Sequence, residues 1–123
     1  MEFPHKDLTY KIIGIAMEIH RELGPAFKET VYEEVMIDEF KENKIAFENQ
    51  VKVDIYYKGK KLKRKYQADF IIDSKIVVEL KVIPHLGKLE ELQMIHYLKA
   101  TGLKVGLLIN FGGKSLEWKR IIY

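Results

Sequence analysis

The chain has 123 residues, and 47% of them are hydrophobic. This length and composition suffice for one domain with a buried core, and the length is too short for a second module. It contains no cysteine, which excludes disulfides and thiolate metal sites, and its net charge of +3 is too small for a general nucleic-acid coat. No run approaches the roughly 18 apolar residues of a membrane span, and residues 1–7 do not form a signal peptide, so we expect a cytoplasmic protein without membrane contact.

The first part of the chain predicts two helices. Apolar residues recur at helical spacing from Leu8 to Leu23, and Gly24-Pro25 ends that helix. A second helix is expected from about Phe27 to Glu42, ending at Asn43-Lys44. Its predicted buried side consists of Val31, Val35, Met36 and Phe40.

Three strands are predicted next. Alternating apolar residues indicate a strand from Val51 to Tyr57, which turns at Lys58-Gly59-Lys60 into a second strand. The second strand ends with the segment Tyr66–Ile72, and a turn at Asp73-Ser74 leads into a third strand, Lys75–Val82.

A helix and two more strands complete the pattern. The helix is expected from about Lys88 to Ala100 with Gly102 as its cap, and the strands cover residues 105–110 and 116–122. The order of elements predicts an α/β domain, a mixed sheet flanked by helices. The last helix should make a parallel crossover between the third and fourth strands.

The turn between the second and third strands decides which residues share a face. If residues 73–75 stay unpaired, Ile72 faces Ile76 and Asp69 lies directly across from Glu79. The other face is then entirely apolar: Phe70, Ile72, Ile76, Val78 and Leu80. A two-residue turn would mix Asp69 with this apolar set, so the hydrophobic pattern favours the first register.

The residue types at this place fit metal-dependent hydrolysis. Two carboxylates whose cross-strand Cβ atoms are about 5 Å apart repel each other unless a proton or cation lies between them, and Mg²⁺ prefers such oxygen ligands. Lys81 shares the face of Glu79 and is placed to hold the attacking water or to neutralise phosphoryl oxygens. Gln93 and Tyr97 share one face of the third helix, which would position these groups if it covers the acids.

Each of these residues also has a purely structural explanation. Glu79 and Lys81 fit a solvated strand face, and Tyr97 fits a core aromatic residue with its hydroxyl in water. The strand is however the most apolar in the chain, and charges on such a strand are costly unless they are paired or bound to metal. This context favours the functional interpretation.

Several motifs resemble one known group of proteins. Asp69, then Glu79-Leu80-Lys81, then the segment Gln93–Tyr97 resembles the PD-(D/E)XK nuclease superfamily, and the last segment fits its Q-x-x-x-Y element. The segment Ile12–Glu33 is similar to the small GxxExxY proteins of that superfamily. Glu29 and Tyr32 match their motif, whereas Ala26 replaces its opening glycine.

The resemblance covers nearly the whole chain and implies a restriction-endonuclease-like fold and nuclease activity with Mg²⁺ or Mn²⁺. It implies that the metal is bound by Asp69, Glu79, Glu29 and the backbone carbonyl of Leu80. It also implies that Tyr32 orients Glu29 or contacts the nucleic acid, although core packing is the favoured explanation of Tyr32 taken alone. The expected catalytic residues are Lys81, Glu79, Asp69, Gln93 and Tyr97.

A basic patch and the small size of the chain bear on its partners. The patch surrounds the first hairpin and leads toward Asp69, beside the expected site, where it would follow phosphates: Lys58, Lys60, Lys61, Lys63, Arg64 and Lys65. Most runs of this kind are solvated turns. We expect a nucleic-acid partner, with DNA as the first choice, and a homodimer or a partner protein. The alternatives are a catalytically inactive nucleic-acid-binding module and a protein-interaction module with the nuclease fold.

Overall fold

The elements follow one another in the order that the sequence predicts. The computed structural model describes residues 3–123. Within this range the elements are α1 (Lys6–Leu23), α2 (Glu29–Glu42), β1 (Phe47–Tyr57), β2 (Lys60–Ile72), β3 (Ile76–Lys81), α3 (Lys88–Thr101), β4 (Val105–Asn110) and β5 (Glu117–Ile122).

The strands form one mixed sheet in the order β1-β2-β3-β4-β5. β3 and β4 are parallel and are connected through α3, while the other neighbouring pairs are antiparallel. The predicted α/β architecture and the crossover are therefore confirmed. No helix within residues 3–123 is long and apolar enough to cross a membrane.

Helices cover both faces of the sheet. α1 and α2 lie on one face, where their apolar side chains pack with Phe70, Val78 and Leu107 in the larger core cluster. α3 lies on the other face, where Met94 and Leu98 pack with Val77 and Leu108. The sheet is thus the middle layer of three.

The predicted register between β2 and β3 is confirmed. Ile72 is paired with Ile76, and residues 73–75 form the connection. Asp73 and Ser74 both have positive φ angles, 51° and 55°, and the Lys75 N–H donates to the Ile72 carbonyl over 2.9 Å. All five residues of the predicted apolar face lie in the larger core cluster.

The predicted buried side of α2 is partly wrong. Met36 and Phe40 are fully buried, but Val31 is 36% exposed. Tyr32 takes the inner position instead, because its ring stacks on Phe111 with centroids 4.3 Å apart.

Contacts at one end of the sheet fix the loop that follows β4. The Phe111 N–H donates to the Lys81 carbonyl over 2.9 Å, and His20 Nε2 donates to the Gly113 carbonyl over the same distance. A Cβ added to Gly112 would lie 2.3 Å from the Ile83 carbonyl oxygen, so only glycine fits this approach. The end of β3 that carries Lys81 is therefore connected through this loop to α1.

Candidate active site

The β2–β3 ladder stops just before Asp69 and Glu79. Phe70 and Val78 are the last paired residues at this end. Beyond them, the Asp69 N–H donates to Glu79 Oε1 over 2.9 Å, and the Leu80 N–H donates to Asp69 Oδ2 over 2.7 Å. At this point the two carboxyl groups take the place of backbone carbonyls, because each accepts a backbone N–H from the opposite strand. The predicted approach of Asp69 and Glu79 is confirmed.

Asp69 is also held from β1. Asn49 Nδ2 donates to the Asp69 carbonyl over 3.0 Å, and Gln50 Nε2 donates to Asp69 Oδ1 over 3.3 Å. Both amides also donate to Glu33 Oε2, at 2.7 Å from Asn49 and 2.5 Å from Gln50. Gln50 adopts a left-handed backbone with φ of 53°, which carries strain in a residue other than glycine.

Glu33, Asn49 and Gln50 are site residues that the sequence interpretation missed. Glu33 lies one helical turn after Glu29, so its position on the same face of α2 was a usable signal. The Asn49-Gln50 pair comes just before the apolar alternation of β1. The left-handed backbone at Gln50 left no such signal, because left-handed geometry is predictable mainly at glycine and asparagine.

The buried side chains of β2 switch from one sheet face to the other at Asp69. Ala68 packs with α3, and Tyr66 contacts Tyr97 of that helix, whereas Phe70 packs against α1 and α2. The N–H of Asp69 is bonded toward β3 and its carbonyl toward β1, although a regular antiparallel strand directs both groups of one residue to the same neighbour. The backbone therefore rotates at the residue whose carboxyl group forms the site.

Burial makes this cluster electrostatically costly. Asp69 and Glu79 are each only 7% exposed. Burial, with the negative charge of Asp69 as the next cause, raises the pKa of Glu79 to about 8. Burial also raises the pKa of Asp69, and Glu33 adds to that effect. At neutral pH the metal-free pair therefore favours a bound proton, and a cation in its place would relieve the same repulsion.

Glu29 belongs to the same electrostatic cluster. It is exposed on the first turn of α2, but neighbouring atoms partly desolvate its carboxyl group, which raises its pKa, and the charge of Asp69 raises it further. The nearby positive charge of Lys81 opposes these increases in pKa at all three acids: Glu29, Asp69 and Glu79. The structure therefore brings the lysine and the three acids to one end of the sheet.

α3 covers this cluster with Gln93 and Tyr97. Lys81 Nζ donates to Gln93 Oε1 over 3.4 Å, and the Tyr97 hydroxyl donates to the Gln67 carbonyl over 3.4 Å. Burial and the negative charges of Glu79 and Asp69 raise the pKa of Tyr97, so its phenol remains a proton donor. Both residues of the predicted helix face therefore lie against the site.

The donor set fits a hard divalent cation through two carboxylates. Among residues 3–123, no group of three or more His, Asp or Glu side chains is arranged to hold a metal ion. Mg²⁺ needs only one or two carboxylates, since water and phosphate oxygens complete its shell. Asp69 and Glu79 supply that pair, and Glu29 lies within electrostatic range of both.

The expectation that Tyr32 contacts nucleic acid is wrong. Tyr32 is 0% exposed, and its hydroxyl donates to the Gly24 carbonyl and accepts the Phe27 N–H. Tyr32 therefore closes the α1–α2 loop and fixes the start of the helix that carries Glu29. Ala26 in this loop does not have a positive φ, so its side chain causes no backbone strain there.

The basic hairpin extends from the acids along β2. At about 3.3 Å per residue, the strand distance from Asp69 is about 13 Å to Lys65 and about 30 Å to Lys60. Lys61 and Lys65 are also ion-paired with Asp54, by contacts that include a Lys61 Nζ to Asp54 Oδ2 distance of 3.6 Å. The patch therefore begins near the site and continues beyond it along the hairpin.

The fold and site define an α/β domain with a mixed sheet. Two carboxyl groups lie between neighbouring central strands where their backbone pairing ends, beside a lysine. A family model of the PD-(D/E)XK nuclease superfamily matches residues 6–121. The chain belongs to this superfamily.

Comparisons with other known proteins support the fold and nothing more specific. A solved structure named "Crystal structure of SSO0001" is similar, with a TM-score of 0.61 and 24% sequence identity. The match covers 76% of this chain and 48% of that one, so this chain spans about half the length of that protein. A search of curated proteins found no match.

Proposed function

We propose that this protein is a metal-dependent nuclease that hydrolyses phosphodiester bonds of nucleic acid, with DNA as the first candidate substrate. The observation that carries the proposal is the buried pair of Asp69 and Glu79 beside Lys81, in which each carboxyl group accepts a backbone N–H from the opposite strand. Membership of a nuclease superfamily supports it, and the similarity to the GxxExxY proteins makes that group the proposed branch.

Mg²⁺ or Mn²⁺ is the proposed cofactor. Asp69 and Glu79 would bind it through carboxylate oxygens, with Glu29 and the Leu80 carbonyl as further ligands. A bound divalent ion would supply neutralising charge and a more acidic water for attack on phosphorus. Because the pKa of Glu79 is raised, this carboxyl group must give up its proton when a cation binds, so binding should strengthen as pH rises.

The side chains around the acids have separate proposed roles. Lys81 would bind an anionic phosphate oxygen or hold the attacking water, because its ammonium lies close enough to the acids to act on Glu29, Asp69 and Glu79. Gln93 accepts a hydrogen bond from Lys81 and would orient that ammonium. Tyr97 remains a neutral donor and would position water or a phosphate oxygen after release from the Gln67 carbonyl.

The second candidate is a nucleic-acid-binding module without turnover. The observation that favours it is the hydrogen bonding of Asp69, whose two carboxylate oxygens already accept from Leu80 and Gln50. Each carboxylate oxygen has a further lone pair, so these bonds leave room for a cation. The nuclease remains our first proposal for this reason.

Replacement of Lys81 tests the proposal. Purified protein, freed of metal with EDTA and then supplied with Mg²⁺ or Mn²⁺, should cut at least one of single-stranded DNA, duplex DNA and RNA. Lys81→Ala should lower the cleavage rate at least a hundredfold while binding persists, because the lysine acts mainly on charge in the transition state. Lys75→Ala, in the exposed β2–β3 turn, is the matched control.

Two results would contradict the proposal. One is a wild-type protein that binds these substrates and cuts none of them with either metal, which would favour the binding module. The other is equal cleavage by wild type and Lys81→Ala.

A further inference from the structure

A cleft lies between the β1–β2 hairpin and α3. Its volume is about 270 Å³, and it is lined by Asp54, Ile55, Tyr56, Tyr66, His96, Lys99 and Ala100. Three of these residues carry flat rings. Tyr56 is 62% exposed, so its ring contributes little to the core.

Tyr66 connects this cleft to the candidate active site. Its hydroxyl is 3.0 Å from His96 Nδ1, and its ring centroid is 5.0 Å from that of Tyr97 in an edge-to-face contact. Tyr97 in turn lies near enough to Glu79 and Asp69 for their charges to affect its hydroxyl. Along β2, Tyr66 precedes Asp69 by only about 10 Å. Tyr56 lies farther along the hairpin, paired with Lys61 and about 26 Å from Asp69 along β2. A strand whose phosphate lies at the acids would therefore pass Tyr66 and place the base of a nucleotide several positions away on Tyr56.

The charges around the cleft suit a polyanion. Asp54, its one acidic lining residue, is paired with Lys61 and Lys65. These two cations lower the pKa of Asp54. Lys99 lies on the opposite wall, and the remaining lysines of the hairpin continue beyond the opening. A phosphate backbone that passes along the hairpin would therefore meet more positive than negative charge.

Given the nuclease function proposed above, we propose that this cleft binds an unpaired nucleobase of the substrate, stacked on Tyr56. Single-stranded nucleic acid is bound by aromatic rings that stack on bases together with cations that follow the backbone, and this cleft combines both. A base paired within a duplex cannot present its face to Tyr56. The preferred substrate class is therefore single-stranded nucleic acid or a duplex with an unpaired end.

Binding without turnover tests this subsite separately from catalysis. Fluorescence anisotropy in EDTA would compare a short labelled DNA single strand with a duplex of the same length. Wild type should bind the single strand more tightly. Tyr56→Ala should weaken single-strand binding about tenfold, as expected for the loss of one stacked base, and leave duplex binding nearly unchanged.

Two further variants separate stacking from general effects. Tyr56→Phe keeps the ring and should bind as wild type does. Tyr57 is the matched control, because it is the next residue on β1, is 63% exposed, and lies outside the residues that line the cleft. Tyr57→Ala should therefore leave binding unchanged.

The outcomes distinguish this subsite from the nuclease itself. Single-strand binding by Tyr56→Ala equal to wild type, or an equal loss in Tyr57→Ala, overturns the subsite even if Mg²⁺-dependent cleavage is observed. A tenfold loss confined to Tyr56→Ala and restored in Tyr56→Phe supports the subsite even if no substrate is cut.

Discussion

Asp69 is held by side chains from β1 as well as from β3. Gln50 is central to this arrangement, because its amide donates to both Glu33 and Asp69 from a strained left-handed backbone. Strain that persists beside a buried acid pair suggests that the position of this amide matters for the site. Groups that orient metal-binding carboxylates typically contribute 10–100-fold to affinity or activity.

Gln50→Gly removes the side-chain amide and keeps a residue that can adopt the same positive φ, so it tests the amide apart from the backbone conformation. Glycine adopts positive φ without strain, which offsets part of the stability lost with the hydrogen bonds. We expect a melting temperature within a few degrees of wild type and a cleavage rate about tenfold lower. Lys44→Gly is the control, since Lys44 has a φ of 56° and is exposed at the end of α2. Equal cleavage rates for Gln50→Gly and wild type would remove the proposed positioning role.

The raised pKa of Glu79 predicts how the metal-free protein responds to pH. The native carboxyl group has a pKa of about 8 against an ordinary value of 4.5, so the folded state binds more protons than the unfolded state between these values. Stability should therefore fall as pH rises from about 5 to 8. Glu79→Gln removes this titration and keeps an oxygen that can accept the Asp69 N–H.

Thermal unfolding in EDTA at pH 5 and pH 8 measures this effect. The melting temperature of wild type should drop between the two conditions by about 4 °C or more beyond any drop in Glu79→Gln. Asp54→Asn is the control, because Lys65 lowers the pKa of Asp54 and this exposed group is already ionised across the range. Parallel wild-type and Glu79→Gln profiles would show that Glu79 does not titrate as the structure indicates.

At the scale of elements, hydrophobic patterning predicted the order of helices and strands and the β2–β3 register. The register was predictable because a shift by one residue would have mixed Asp69 with Phe70 and Val78. Patterning failed where two features compete, as at Val31 and Tyr32, where the larger ring took the buried position. It also could not indicate the rotation of β2 at Asp69, which depends on contacts from three strands.

The β2–β3 turn gives a prediction at this scale. Ser74 has a φ of 55° and is exposed, so Ser74→Gly should remove backbone strain. We expect an increase of about 0.5–1 kcal/mol in the free energy of unfolding, measured by urea denaturation. Ser115→Gly, at an exposed loop position without positive φ, should instead lower it. A loss of stability in Ser74→Gly would show that the turn is not strained.

At the scale of the whole molecule, net charge and nucleic-acid binding are separate questions. The net charge is only +3, but the hairpin carries a row of lysines beyond the part of β2 that pairs with β3. Because these lysines lie about 13 to 30 Å from Asp69 along β2, they are suited to binding a phosphate backbone at a distance from the candidate active site. A chain of 123 residues has little other surface for recognition, so we retain a second copy or a partner protein as a proposal.

The salt dependence of binding distinguishes a local patch from overall charge. Lys60→Gln with Lys63→Gln should weaken DNA binding and reduce the slope of log affinity against log salt by up to about 0.9 for each lost phosphate contact. The cleavage rate at saturating substrate should stay near that of wild type, because both lysines lie far from Asp69 and Lys81.

Lys41→Gln with Lys44→Gln is the matched control, since it removes the same charge from exposed positions at the end of α2. If only net charge mattered, both double variants would lose affinity equally and with the same change in slope. A loss confined to the hairpin variant would show that this arm binds phosphates directly. An equal loss in the two variants would mean that the hairpin contributes only to the overall field of the molecule, and DNA would then have to be held by the active-site end of the sheet and by the cleft beside α3.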